Sequence, residues 1–312
     1  MSLRDQLLRA LPFNATELDL LIWSAPLRYK TYYIKKRQPG LFREVSQPTP
    51  EVKLLQRWLV ANVLSNFPVH TSAKAYKRGT GLIENVQPHV QHRFLLKVDF
   101  ENFFPSIKAD HFIRFASDAG IDDLDSNLMK QVLFKRTKGT GSLALAIGAP
   151  SSPHLSNLML HSLDCALALT ASRENIAYTR YADDLSFSTS TPGVLSEFEK
   201  KLPLIIRENC DIPLKLNAEK TIHASKKSGR RITGLTITPQ GTISVGLEQK
   251  KLLRSQIHRF SKNELNAESI QSLTGYIAYL ASIEPAHLVR LARYYGIDVM
   301  RALYPPISDL LV

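Results

Sequence analysis

The sequence predicts an α+β fold, with short strands beside helices and a helical segment at the end of the chain. Aromatic and β-branched residues at 178–187 flank two adjacent aspartates, which is typical of a strand, a tight turn and a second strand. The apolar run at 93–100 ends in Asp99 and predicts a buried strand. From residue 247 onward, apolar residues recur at helical spacing. The 312 residues suffice for two or three subdomains around one cleft.

The first elements are predicted to be helices. Residues 3–11 form one, and Asn14 with Glu17 has the capping-box spacing that begins another. We expect the apolar side chains of this second helix to enter a core: Leu18, Leu20, Leu21, Ile22 and Trp23. A basic β-hairpin follows, with Pro39-Gly40 in its turn. A helix then runs from Pro50 to Asn66.

The middle of the chain alternates loops and helices. Residues 72–92 are predicted to be mostly loop with one short helix, and 109–137 to form two helices around Gly120. Small residues at 148–153 then open a helix over 153–172. They would let a ligand approach the backbone closely and offer free N–H groups to an anion.

After the aspartate hairpin, we expect a helix over 192–208 and a turn that carries Lys220. A second hairpin is predicted from strands at 230–237 and 242–245. The final helical segment is interrupted at Gly275 and Pro285.

Composition excludes several classes of protein. No stretch approaches the roughly 18 to 20 apolar residues of a membrane span, and charges interrupt the short apolar runs of the N-terminus. Cys165 and Cys210 lack metal-ligand spacing, which argues against a zinc site or a disulfide framework. We therefore expect a soluble cytoplasmic protein with no membrane partner.

The net charge of +12 is concentrated in two segments. Residues 28–43 contain six basic residues and no acid, and residues 215–262 contain eleven basic residues against two acids. Such surfaces suit a phosphate backbone, because neutralising phosphates releases counterions. Each cluster alone is equally compatible with solvated helix faces.

The twin aspartates are the first candidate site. An aromatic residue followed by any residue and two aspartates is expected by chance about 0.05 times in this chain, so the motif alone leaves a solvated turn open. Two adjacent carboxylates repel each other unless solvent or a divalent cation neutralises them. Asp99 at the end of its buried strand is the natural third ligand, because a buried carboxylate is costly without a cation or a cleft.

Five short motifs follow one another along the chain. They are Asn85 to His89, Asp99 to Ser106, Gly148-Ala149-Pro150, Tyr181 to Asp184, and Ile232-Thr233-Gly234. Their order resembles the reverse transcriptases and, within them, the bacterial retron type, from about Tyr29 to the C-terminus. Val86 stands in the first motif where that type has an alanine. A further departure is Ile147, where relatives commonly have a glutamine that touches the nucleotide or template.

The resemblance implies a right-hand polymerase fold with fingers, palm and thumb, and a palm whose antiparallel sheet carries the aspartates. The expected parts are N-terminal helices and fingers at 1–90, the Asp99 palm strand at 91–108, fingers and palm helices at 109–172, palm at 173–246 and a helical thumb at 247–312.

The resemblance also implies the chemistry. Asp99, Asp183 and Asp184 would hold two Mg²⁺ ions, or Mn²⁺, with the Phe100 carbonyl as a further ligand. Phe104 would pack under the sugar and exclude ribonucleotides.

Other residues are expected to contact the substrates. Arg43 and Lys36 would grip the incoming triphosphate, Gly148 and Ala149 would line its site, and Lys220 would lie near the pyrophosphate and protonate it. Plain packing for Phe104 and a surface ion pair for Lys220 remain open. The residues expected to contact nucleic acid are Lys226, Lys227, Arg230, Arg231, Lys250, Lys251, Arg254 and Arg259.

For a retron enzyme, the resemblance implies RNA-directed synthesis of DNA on a structured noncoding RNA. Synthesis would start from a guanosine 2′-hydroxyl and give a branched RNA–DNA product from dNTPs. A separate effector or toxin and a role in antiphage defence are also implied. The alternatives are a reverse transcriptase related to group II introns and a catalytically silent RNA-binding scaffold for an effector.

Overall fold

The computed structural model describes residues 2–35, 40–77 and 79–310. The chain forms two compact units. Unit 1 comprises Met1–Thr80, Leu96–Phe187 and Gly193–Ile222, and unit 2 comprises Gly81–Leu95, Ser188–Pro192 and His223–Val312. Lys36, expected to grip the triphosphate, lies outside the described residues.

Helices are present in both units, as the α+β prediction requires. Their bounds are α1 (Leu3–Ala10), α2 (Ala15–Ser24), α3 (Pro50–Asn62), α4 (Leu82–Val86), α5 (Phe103–Ser106), α6 (Ala109–Asp118), α7 (Asp123–Leu133), α8 (Ser152–Met159), α9 (His161–Arg173), α10 (Val194–Asn209), α11 (Leu247–Ser261), α12 (Ala267–Ile283), α13 (Pro285–Tyr295) and α14 (Ile297–Leu303).

The strands are short. Their bounds are β1 (Tyr29–Lys35), β2 (Phe42–Pro48), β3 (Phe94–Asp99), β4 (Lys135–Arg136), β5 (Leu143–Ala144), β6 (Ala177–Tyr181), β7 (Asp184–Thr189), β8 (Ile222–Ser225), β9 (Arg230–Ile232), β10 (Leu235–Ile237) and β11 (Ile243–Ser244). They form a β1-β2 hairpin, a β4-β5 pair, a four-stranded sheet in the order β6-β7-β3-β8, and a three-stranded sheet in the order β11-β10-β9.

The core of unit 1 packs helices against the aspartate hairpin. Tyr178 of β6 stacks on Phe187 of β7 with ring centroids 4.9 Å apart, and Phe187 contacts Phe198 of α10 at 5.0 Å. Alternation along the two strands turns these rings to one face, where burial of their apolar area stabilises the sheet. The predicted capping box of α2 is confirmed, because Asn14 and Glu17 exchange two hydrogen bonds of 2.9 Å.

The core of unit 2 lies between the three-stranded sheet and helices α11 to α14. Its buried residues include Ile232 and Leu235 from the sheet, and Leu253, Ile277 and Leu288 from the helices. The predicted helical segment after residue 247 is confirmed. Gly275, however, lies inside α12 and does not interrupt it, whereas Pro285 begins α13.

Two predictions about local structure are wrong. The strand expected at 230–237 folds back on itself at Thr233-Gly234, whose φ angles of 45° and 88° suit a two-residue hairpin turn. In α2, Leu20 and Trp23 are 57% and 73% exposed. Only Leu18 and Leu21 of that helix are buried, because they lie three residues apart on one face.

Candidate active site

Asp183 and Asp184 lie where β6 turns into β7. Before them, Ala182 has a φ of 58°, in the left-handed region that a non-glycine residue adopts at an energetic cost. Its carbonyl accepts a 3.1 Å hydrogen bond from Nη1 of Arg180, which holds the turn from within the protein. The strained turn is therefore supported by a side chain of the strand that leads into it.

Arg180 belongs to a buried polar network behind the turn. Its guanidinium donates two hydrogen bonds to Asp164 of α9, Nε–Oδ1 at 2.8 Å and Nη2–Oδ2 at 2.6 Å. Tyr178 donates its hydroxyl to Asp164 at 2.7 Å, and Arg180 Nη1 also donates to Asn157 of α8 at 3.1 Å. Both charged side chains are fully buried, so the paired geometry is what makes their burial tolerable.

Asp99 is held beside the same turn by backbone hydrogen bonds. The Phe100 N–H donates to the Asp183 carbonyl at 3.1 Å, and the Asn217 N–H donates to the Asp99 carbonyl at 2.8 Å. In an extended strand the N–H and C=O of one residue face the same neighbour. The Phe100 carbonyl therefore faces the aspartate turn.

The three carboxylates interact electrostatically. Burial and the charge of Asp99 raise the pKa of Asp183 to about 6. Burial also raises the pKa of Asp184; Lys97 opposes this effect and Asp99 adds to it. The site holds more negative charge than its surroundings neutralise, which a bound cation would relieve.

Lys220 supplies part of that neutralisation. It ends a 3₁₀ turn at Ala218–Lys220, and its Nζ lies 2.7 Å from Oδ1 of Asp99. Over residues 2–35, 40–77 and 79–310, no three His, Cys, Asp or Glu side chains are gathered closely enough to hold a metal ion. The carboxylate oxygens nevertheless have the hard-donor chemistry that Mg²⁺ prefers. The raised pKa of Asp183 indicates that its negative charge is poorly neutralised by the protein. The chemistry of these donors therefore suits a divalent cation, which would have to draw the carboxylates closer together and displace Lys220 from Asp99.

Aromatic side chains follow Asp99. Phe100 and Phe103 stack with ring centroids 5.9 Å apart, and Phe103 contacts Phe104 at 5.2 Å. Phe103 is buried and Phe104 is half-buried. Phe104 thus keeps part of its ring accessible to solvent.

The loop with Gly148 and Ala149 is bound to the basic hairpin. The Ser46 N–H of β2 donates to the Ile147 carbonyl at 2.7 Å. Gly148 has a φ of 106°, and a Cβ at this position would lie 2.9 Å from Cγ1 of Val45. Glycine is therefore required both by conformation and by space, while Ala149 is buried.

Arg43 lies on β2 opposite Ile34 and is exposed. The next residue, Glu44, is bound by Lys135 at 2.8 Å, and Lys135 also donates to Ser46 at 2.6 Å. These contacts fix the strand that carries Arg43 and leave its guanidinium accessible.

Most of the basic residues predicted to bind nucleic acid are on the surface of unit 2. Lys250 is half-buried in a 2.6 Å ion pair with Glu284, and Arg254 lies over the ring of Tyr294 at 5.3 Å. The exposed members of the set are Lys226, Lys227, Arg231, Lys251, Arg254 and Arg259.

The prediction that Arg230 contacts nucleic acid is wrong, because Arg230 is fully buried. Its guanidinium donates to the carbonyls of Val90 at 3.2 Å and Thr238 at 3.1 Å, and also to that of His92. Strand alternation turns Arg230 inward and Arg231 outward. Arg230 therefore ties the sheet of unit 2 to residues 90–92 and is not available to a nucleic acid.

Sequence reasoning also missed residues around the turn. No role for Arg180 or Asp164 was predicted from the sequence, although Arg180 shares the strand face of Tyr178 and Asp164 lies beside Leu163 and Leu167 in its helix. Tyr76 was placed in a loop, yet its ring lies 6.5 Å from that of Tyr181.

Comparison with known proteins shows the family to which the chain is similar. Residues 34–237 match the family model described as "Reverse transcriptase (RNA-dependent DNA polymerase)". The chain is 34% identical to the Retron Ec83 reverse transcriptase of Escherichia coli, over 92% of this chain and 93% of that protein. It is 30% identical to the Retron Ec86 enzyme, over 92% of this chain and 86% of that protein. It is also 30% identical to the Retron Ec73 enzyme, over 88% of this chain and 89% of that protein, and both relatives are from the same organism.

None of the described helices is long and apolar enough to cross a membrane.

Proposed function

The chain belongs to the reverse transcriptase family, as one of the retron RNA-directed DNA polymerases, and from this premise we propose that Asp99, Asp183 and Asp184 hold the divalent cations of the reaction. The observation that carries the proposal is the hydrogen bond from Phe100 to Asp183, which joins the end of the Asp99 strand to the aspartate turn. The raised pKa of Asp183 supports it, because burial and like charge there favour a cationic partner.

Two Mg²⁺ ions are proposed, and Mn²⁺ suits the same oxygen ligands. When bound, such cations lower the pKa of the attacking hydroxyl and stabilise charge on the triphosphate. The Phe100 carbonyl is available as an additional ligand on the same side of the strand.

The surrounding residues take the roles of substrate contacts. The exposed guanidinium of Arg43 binds the triphosphate by paired hydrogen bonds. Gly148 and Ala149 give a backbone wall at the hairpin, and Phe104 packs under the sugar. Lys220, which forms an ion pair with Asp99 in this structure, would be released by the cations and donate a proton to the leaving pyrophosphate.

The proposed template is a structured noncoding RNA, copied in part into DNA from a 2′-hydroxyl to give a branched product. The relatives are retron enzymes, which favours this template over that of a group II intron enzyme. The exposed basic residues of unit 2 provide sequence-independent phosphate contacts. A separate effector protein and a role in antiphage defence complete the proposal.

Primer extension on an RNA template tests the active site. We expect the wild type to incorporate dNTPs with Mg²⁺ and Asp183→Asn to be inactive, whereas Asp118→Asn, at the exposed end of α6, keeps wild-type activity. Equal incorporation by wild type and Asp183→Asn would refute the cation site. Absence of incorporation by the wild type would favour the silent scaffold. Nucleic acid copurified from the native locus tests the template, and the lack of a short branched RNA–DNA species would refute it.

A further inference from the structure

The segment before Tyr76 is attached to the strand that carries the aspartates. The Arg180 N–H donates to the Ser72 carbonyl and the Lys74 N–H donates to the Arg180 carbonyl, both at 2.8 Å. Ala73 thereby forms a parallel bridge with Arg180. Asn157, a member of the buried network, donates to the Ala75 carbonyl at 2.9 Å. This backbone is fixed to the catalytic hairpin, although it contains no regular strand.

Tyr76 then adopts an unfavourable conformation. Its φ is 61°, which a bulky residue rarely takes outside a strained or functional position. Ala73 and Ala75 are buried, whereas Tyr76 is 50% exposed. The chain therefore maintains a strained backbone while holding an aromatic ring half in solvent, an arrangement that packing of the core does not require.

The ring of Tyr76 lies close to the aspartate turn of the proposed site. It is 6.5 Å from the ring of Tyr181, two residues before Asp183. After burial, the charge of Asp183 is the largest influence that raises the pKa of the Tyr76 hydroxyl, and Arg43 lowers it. The phenol is thus within electrostatic reach of both the cation site and the triphosphate arginine.

We propose that Tyr76 is a nucleotide-binding residue whose ring, together with Tyr181, forms an aromatic wall against the incoming deoxynucleoside triphosphate. The inference rests on the proposed function, since Arg43 and Asp183, which both influence the Tyr76 hydroxyl, are the groups proposed to bind the triphosphate and the cations. A half-exposed aromatic face suits the flat, apolar surface of a base or sugar. The anchored backbone at 72–75 means that the ring needs little ordering when the nucleotide binds.

Equilibrium binding of dATP to the enzyme on a dideoxy-terminated primer–template tests the proposal without turnover. We expect Tyr76→Ala to raise the Kd of dATP by about 10-fold, as loss of a stacking surface does. Alanine keeps the backbone strain, so the comparison isolates the ring. Tyr76→Phe is expected to restore binding to within about 2-fold, since the ring supplies the contact. Trp23→Ala, which removes another exposed ring of unit 1, serves as the control.

Unchanged dATP affinity in Tyr76→Ala, with or without weaker primer–template binding, would overturn the inference and leave the proposed function intact. Extension by Asp183→Asn at the wild-type rate would refute the cation site. The dATP affinities of the Tyr76 variants would still test the role of Tyr76 in that case. A wild type that fails to bind dATP would refute both. Thermal unfolding of each variant identifies any loss of affinity that reflects misfolding.

Discussion

Arg180 and Asp164 form a fully buried ion pair with two hydrogen bonds of 2.8 and 2.6 Å. Arg180 also bonds the Ala182 carbonyl, so the pair couples helix α9 to the aspartate turn. The buried pair thus supports the backbone of the turn that carries Asp183 and Asp184.

Asp164→Asn is expected to reduce the free energy of unfolding by about 3 to 5 kcal/mol, because it leaves the Arg180 charge buried without its partner. Urea denaturation measures the effect. Asp19→Asn is the matched control, since its ion pair with Arg4 is exposed and removing it should cost less than about 1 kcal/mol. Similar losses in the two variants would contradict the role of burial.

Asp183→Asn should stabilise the metal-free protein in a pH-dependent way. The folded-state pKa of about 6 lies above the ordinary 3.8, so the folded protein binds the proton more tightly and loses stability as pH rises through this interval. Asparagine does not titrate, so its advantage should grow between pH 4 and pH 7.5 by on the order of 3 kcal/mol. Urea denaturation in EDTA measures it. An advantage independent of pH would contradict the prediction, and Asp118→Asn is the exposed control.

Lys220→Met is expected to tighten binding of Mn²⁺ to the nucleic-acid-free protein by about 2- to 5-fold, because the ammonium no longer competes for Asp99. Electron paramagnetic resonance counts free Mn²⁺ directly. Lys215→Met removes the same charge from the same segment but leaves the Asp99 ion pair in place. Tighter binding in both variants would mean that general charge, and not the ion pair, controls the affinity.

Gly148→Ala is expected to destabilise the protein by about 1 to 3 kcal/mol and to raise the KM for dNTPs, since the added Cβ would lie 2.9 Å from Val45. Gly139→Ala provides the comparison, because Gly139 has a similarly positive φ but no atom within 4 Å of a new Cβ. The excess loss in Gly148→Ala measures the close approach alone. Equal losses would show that backbone strain accounts for the whole effect.

Arg231→Ala and Arg230→Ala should affect different properties, RNA binding in the first variant and stability in the second. Loss of the exposed Arg231 is expected to weaken RNA binding. The slope of log affinity against log salt concentration should fall by about one, the value for one phosphate contact. Loss of the buried Arg230 should instead lower the unfolding free energy, because several carbonyls lose their donor. Binding titrations at several salt concentrations and urea denaturation of both variants check the two effects.

Local signals were readable from the sequence. The aspartate hairpin and the Asp99 strand carry apolar patterns with carboxylates at their ends, and the Asn14 capping box is a fixed spacing. The Thr233-Gly234 reversal was missed, although the apolar positions change phase between Ile232 and Leu235 and Gly234 is a turn residue.

Long-range partners were also beyond the sequence. The pairing of Ser72 and Lys74 with Arg180 joins segments more than a hundred residues apart, and no local pattern encodes it. Arg180 can be buried only because Asp164 is buried beside it, and the reverse also holds. Neither residue taken alone therefore predicts its own burial.

The hydrogen bond between Phe100 and Asp183 has a consequence for folding. It joins strands whose proposed cation-binding carboxylates are widely separated in the chain, and β3 must lie beside β7 before it can form. Such non-local pairing is slow, because the entropy of closing the loop is lost before the contacts that compensate for it can form. During refolding, binding of the proposed cations should therefore emerge only with the sheet itself, which makes cation binding a reporter of the pairing of β3 with β7.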